Sequence, residues 1–398
     1  LINLAMRNPR LAAGRLYTFL NFGPLCRDYC NHFGALMKLT LSIPRTRPEH
    51  LASIPAPEGC ESAALLLTNP AGVQYIAERD PSTPVYHVHL PALAAGQEMT
   101  CDVSPLEQPK AASGIRYTQS HEKVDVTMAD APFMTFHHSS AYPKPVINPI
   151  LTPGGANMLR APMATYGGGE HPWQRGLTLM QGAINGVDCW NEQDQPGFGH
   201  TVQDTIKIGH GPLSMVTATT NTWYEQEKPL MTDRRCYRLF DSSREAVVLD
   251  VTLMLEASQG PVTIGATKEG GFLCIRVNPT MNAADGGTMG NAYGATDETG
   301  CWSKPAHWMD YYGPVEDEVA GFAVFDHPDN FRYPTTWHVR GYGLFAPNCW
   351  MFKDDHHLSA GETMTFRWRV VIHTGDTQQA DIANRFLDYV DGPRVEWA

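Results

Sequence analysis

The 398-residue sequence holds no apolar run near the ~18 residues that a membrane-crossing helix needs. It also lacks any cluster of Lys or Arg that would follow a phosphate backbone. With 30 basic against 42 acidic residues its formal charge is -12, so neither nucleic acid nor a membrane is an expected partner. Neither G-x-G-x-x-G nor G-K-[ST] occurs, which removes the usual nucleotide cradles. Cys26 and Cys30 have no second pair at zinc-finger spacing. Among His171, His200, His327 and His338 no two stand at H-x-H or H-x-x-x-H spacing. No cofactor is therefore expected; the metal alternative is a divalent ion gathered by His171, His200 and His327 through the fold alone. The segment from Leu1 to Arg10 lacks the charged-then-apolar order of a secretory signal. Nine cysteines form an odd set, most of them in apolar or aromatic runs such as those around Cys189, Cys274 and Cys349. Buried reduced thiols and a cytoplasmic location are the expectation, although a first residue other than Met leaves room for a removed leader.

What is present reads mainly as β. Residues 1–45 differ from the rest, with Leu11, Leu16, Phe19, Leu20, Phe33, Leu36 and Met37 at helical spacing around Gly23-Pro24. The spacing predicts a helical arm that packs on its own domain or joins subunits into a homo-oligomer. A Pro-rich linker follows. Residues 58–130 read as a small β-sandwich domain and 131–376 as a large antiparallel β-sandwich, of the super-sandwich, mutarotase-like kind. Alternation in Met364 to His373 puts Phe366, Trp368, Val370 and Ile372 on one face and Arg367 and Arg369 on the other. A C-terminal helix is expected within 377–398.

Two polar, aromatic blocks stand out from that pattern. H-P-W-Q-R-G…I-N-G-V-D-C-W runs from His171 to Trp190, and D-H-P-D-N…W-H-V-R-G-Y-G from Asp326 to Gly343. Such mixtures suit a concave site better than a core. His171, after three glycines and before Pro172, is a candidate acid or base on a loop that lets a ligand approach closely. Arg175 offers a planar fork. His338 and Arg340, two apart on an expected strand, face the same way, while Trp337 turns to the core. Between the blocks, T-K-E-G-G places Glu269 just ahead of the strand bearing Arg276, and Glu269 is the candidate carboxylic acid or base. Trp and Tyr rings such as Trp173, Trp190 and Trp308 suit either sugar stacking or the core.

The succession K-P…T-P-G-G, H-P-W-Q-R-G, I-N-G-V-D-C-W, T-K-E-G-G-F-L-C-I-R, W-x-D-Y-Y-G and D-H-P-D-N-F-R-Y-P-T-T-W-H-V-R-G-Y-G-L-F resembles the bacterial PmoA-like family over roughly 134 to 375. The resemblance implies a β-sandwich of uncharacterised activity associated with carbohydrate catabolism. The sequence departs from the family's tandem His block, having Pro172-Trp173-Gln174 between His171 and Arg175.

Together these readings predict a carbohydrate-active enzyme that cleaves a glycosidic bond as hydrolase or lyase. His171, Glu269 and His338 would transfer protons, and Arg175, Arg276, Asp326, His327, Arg340 and Trp308 would bind the substrate. A sugar epimerase or mutarotase on the same scaffold, and a non-catalytic glycan-binding protein, are the alternatives.

Overall fold

The computed structural model describes residues 37–106, 113–161 and 170–398, so the expected arm lies outside the described residues except for its end. That end is strand, not helix. Met37–Ser42 alternates with Leu39 and Leu41 buried, the period-2 signature of a half-buried strand.

The chain divides into two units, 1–107 with 393–398, and 108–392. In the first, β1 (Met37–Ser42), β2 (His50–Pro55), β3 (Ala64–Thr68), β4 (Gln74–Arg79), β5 (Val85–Leu90) and β6 (Glu98–Pro105) form one antiparallel sheet. Its order is β2-β5-β4-β3-β6-β1, and the strand Arg394–Trp397 completes it by pairing with β1. Alternate residues such as Ile54, Leu65, Leu67, Val88 and Val103 meet in one apolar cluster. Two expected boundaries are corrected here. The small domain starts before residue 58 and ends before 130, because 115–128 pairs within the sandwich. The C-terminal helix is confined to Ile382–Val390, since R-V-E-W alternates and finds an open sheet edge.

The second unit carries β7 (Ile115–Gln119), β8 (Lys123–Met128), β9 (Ala131–His137), β10 (Val146–Ile150), β11 (Leu177–Met180), β12 (Gly199–His210), β13 (Ser214–Glu225), β14 (Lys228–Phe240) and β15 (Ala246–Glu256). It continues with β16 (Val262–Ile264), β17 (Phe272–Arg276), β18 (Thr288–Asn291), β19 (Trp308–Val315), β20 (Glu318–Asp326), β21 (Trp337–Arg340), β22 (Leu344–Pro347), β23 (His356–Leu358) and β24 (Thr363–Thr374). Helices α1 (Glu298–Cys301) and α2 (Ile382–Val390) complete the elements used below. Two eight-stranded antiparallel sheets result. The first runs β21-β22-β17-β11-β10-β9-β8-β7 and the second β12-β13-β14-β15-β24-β20-β19-β18. Leu273, Ile275, Val339 and Phe345 of the first sheet share a core with Val251, Leu253, Val370 and Ile372 of the second. Each such side chain stabilises the fold by roughly 1.5–3 kcal/mol through burial. The alternation expected in β24 is observed: Phe366, Trp368, Val370 and Ile372 all lie in this core.

The two outer faces differ in kind. Over β19, β20 and β24 that of the second sheet is covered by α2, whose Ile382 and Phe386 pack with Trp308, Phe325 and Val371. His373 on this face bonds Asp310 Oδ1 through Nε2 at 2.9 Å, and Thr377 Oγ1 donates to Asp310 Oδ2 at 2.6 Å. Burial disfavours the His373 charge, yet Asp310 holds its pKa above the ordinary value. The outer face of the first sheet carries the polar and aromatic layer described next. No helix among the described residues is long and apolar enough to cross a membrane.

Candidate active site

Strand register sets the rows of the site. Arg276 lies opposite Leu344, which lies opposite Arg340; one row on, His338 lies opposite Ala346. The predicted common face of His338 and Arg340 is observed, with Trp337 in the core. Trp190 lies over this surface, packed with Met180, Cys274, Leu344 and Ala346, and its ring stacks on His338 at 6.0 Å between centroids. Trp173 and Tyr342 pack against the same patch.

Two arginines organise the loop that carries His171. Arg160 Nη1 donates to Glu170 O at 2.8 Å and to Glu170 Oε2 at 3.0 Å, and Nη2 donates to Gln174 O at 2.6 Å. From β17, Arg276 Nη1 donates to Gln174 Oε1 at 2.6 Å and Nη2 to Glu170 Oε2 at 2.8 Å. Glu170 in turn accepts from His171 Nδ1. Burial pushes the Glu170 pKa up, but Arg276 and His171 outweigh it and hold the carboxyl below its ordinary range. Arg160, deeply buried and beside Arg276, is lowered to about 10.

His171 itself sits at φ 47, in the left-handed region that residues other than Gly seldom occupy and that a following proline further disfavours. The strain is held by the hydrogen bonds around it. Its side chain is 40% exposed and stacks on Tyr342 at 5.1 Å, with Trp173 edge-on at 5.5 Å. The Arg276 guanidinium packs on the same Tyr342 ring at 4.5 Å, and that of Arg340 at 6.0 Å. Arg340 Nη1 also donates to Glu298 Oε1 at 2.8 Å, while Glu298 Oε2 accepts the Gly341 N–H at 2.6 Å. His171, Arg276 and Arg340 are thus brought together.

Three expectations change at the other candidates. Arg175 is fully buried, with its Nε 2.9 Å and Nη2 2.6 Å from Glu192 Oε2, and Lys144 Nζ lies 3.3 Å from Glu192 Oε1. Its fork grips a carboxylate of its own chain and is a structural group. His338 lies beneath Trp190 at 3% exposure; burial drives its pKa to about 4 although Glu269 acts to raise it. A neutral, covered imidazole is poorly suited to donate a proton. Glu269 reaches that vicinity but ion-pairs with its neighbour Lys268 at 2.8 Å. Its backbone oxygen lies so close to Gly182 that a Cβ there would meet it at 2.2 Å.

Trp308 and His327 belong to the α2 side of the second sheet, whereas Asp326, opposite Trp368, turns inward at the end of β20. Trp308 packs with α2, and the His327 ring meets Tyr389 of α2 edge-on at 5.5 Å. Asp326 accepts from Asn330 Nδ2 at 2.7 Å and from the Thr335 N–H at 2.9 Å. Asp326 and His327 close β20, Trp308 opens β19, and none of the three joins Arg276. His200 stands on β12, at the edge of the second sheet. The histidines of the metal alternative are therefore not gathered, and no group of three or more metal-ligating side chains occurs among the described residues.

Burial raises the Asp326 pKa to about 7 against these two hydrogen bonds. The unfolded chain releases this proton near ~3.9, so the folded state binds more protons between the two values. Its contribution is complete below ~3.9 and is lost as pH rises to about 7. Asp326→Asn, which cannot ionise, is expected to flatten the fall in stability across that window in urea unfolding; equal slopes in both proteins would refute the shift.

Arg160, Glu170, Gln174, Glu298 and Tyr342 were not predicted as site residues. Three of them had a signal: Glu170 adjoins the first block, Gln174 lies within it, and Tyr342 lies within the second. Arg160 and Glu298 had none, since only the fold carries them to the loop.

Residues 123–387, well over half of the chain, match the model of a family of unknown function, DUF6807. The chain belongs to that family. Every residue of the site lies inside the DUF6807 match, and the seven-stranded sheet lies outside it. No curated protein matches the chain.

Proposed function

We propose that the outer face of the first sheet binds a glycan containing uronic acid and cleaves its glycosidic bond by β-elimination. The observation that carries this reading is His171 held through Nδ1 by Glu170, which leaves Nε2 as the base, beside arginines and the Tyr342 phenol. Nε2 takes the C5 proton, next to the sugar carboxylate. The C5–H electrons form the C4=C5 bond, the C4–O bond breaks, and the leaving oxygen takes the Tyr342 proton. Burial raises the Tyr342 pKa and keeps that proton in place near neutrality. Arg340 neutralises the sugar carboxylate, which stabilises the charge that develops as the proton leaves.

Lysis is favoured over hydrolysis by the state of the carboxyls. Glycoside hydrolysis needs a protonated acid. Glu170 is held in its charged form by Arg276 and His171, and Glu298 accepts from Arg340 and the Gly341 N–H. The seven described cysteines are buried and none is in a disulfide, in keeping with a reducing, cytoplasmic setting.

Incubation with polyuronides and neutral glycans, read by mass, tests the reaction. Fragments whose masses sum to that of the substrate, one with an ultraviolet-absorbing unsaturated end, are expected. Added water, unchanged chains, or no turnover of any polyuronide would overturn the proposal.

A further inference from the structure

A concavity of the second unit shares no residue with the proposed elimination site. It measures about 840 Å³, within the range of small-ligand sites, and opens along β12, the edge strand of the second sheet. Its walls are the 138–145 and 193–203 segments and the turn between β13 and β14. They are tied together in advance. The Thr201 N–H donates to Pro143 O at 2.8 Å, and the Gly197 N–H to Glu225 Oε1 at 3.0 Å. Behind them Tyr142 packs its ring 5.1 Å from the buried Arg175 guanidinium. Little ordering remains to be done on binding.

We infer that this cleft binds a neutral saccharide. Asp194, Glu225 and Glu227 face it with Lys228 as the opposing cation, so an anionic chain is repelled. His138 and His200 do not offset this, because burial lowers both their pKa values. The lining is rich in uncharged hydrogen-bonding side chains, Ser139, Ser140, Gln193, Gln195 and Gln203. A purely apolar ligand would leave these groups without partners, whereas hydroxyl groups can pair with them. Tyr142 and Phe198 supply ring surface for the apolar faces of sugar rings.

Calorimetric titration of the full chain with neutral gluco-, xylo- and manno-oligosaccharides, and with oligogalacturonate, tests the assignment. One or more neutral oligosaccharides are expected to bind saturably. Affinity should fall about tenfold or more in Ser140→Trp, which fills the cleft from an exposed position, and stay at the wild-type value in His171→Ala. If Ser140→Trp does not fold, Gln203→Ala takes its place. The assignment is wrong if no neutral oligosaccharide binds, if the cleft variant binds as the wild type does, or if oligogalacturonate competes for the same site. Because His171→Ala slows elimination without touching the cleft, failure of either reading leaves the other open to test.

Discussion

His171→Ala is expected to lower polyuronide turnover by about 10²- to 10⁴-fold with KM little changed, the scale of a lost general base. The imidazole is the one half-exposed nitrogen base on the Tyr342 platform, and its other nitrogen is committed to Glu170. Added imidazole should restore part of the rate in this variant, which loss of a purely structural contact would not allow. Retention of turnover within a factor of about three would remove His171 from the chemistry. Glu170→Gln is expected to act more weakly, since it keeps the shape of the loop while weakening the bonds from Arg160 and Arg276.

The largest loss of stability is expected from Glu192→Ala. Glu192 is the carboxylate between Arg175 and Lys144, whose side chains are 0% and 1% exposed. Removing it strands two cations away from water, at a cost of about 3–5 kcal/mol. Glu298→Ala breaks the half-exposed pair with Arg340 and should cost about 0–1 kcal/mol. Urea unfolding of both variants gives the comparison, and equal losses would show that the buried cluster contributes nothing special.

The β architecture was legible because alternation needs only one chain segment to reveal itself, as in β24. The extent of each unit was not. Helical spacing through Phe33 and Leu36 was carried on to Met37, although Leu39 and Leu41 already alternate. Arg394–Trp397 is too short to show a period with conviction, and its partner β1 is far away in the sequence.

At the site, chemistry was easier to read than placement. Arg175 reads the same whether its fork meets a substrate or Glu192, and nothing local distinguishes them. The block from Asp326 to Gly343 looked like one unit, but it is a crossover between sheets. Asp326 ends β20 in the second sheet and Trp337 begins β21 in the first. Its two ends therefore belong to different sheets, which is why Asp326 and His327 part company with Arg340.

The strand Arg394–Trp397 has a consequence for the order of events during synthesis. It pairs with β1, but the whole sandwich is translated between the two. While the ribosome makes that long insert, the β1 edge of the small sheet remains open, with its backbone donors and acceptors free to meet another nascent chain. The sandwich, whose strands are contiguous in the sequence, can be complete first. Residues made after the sandwich then seal the edge of a strand made before it.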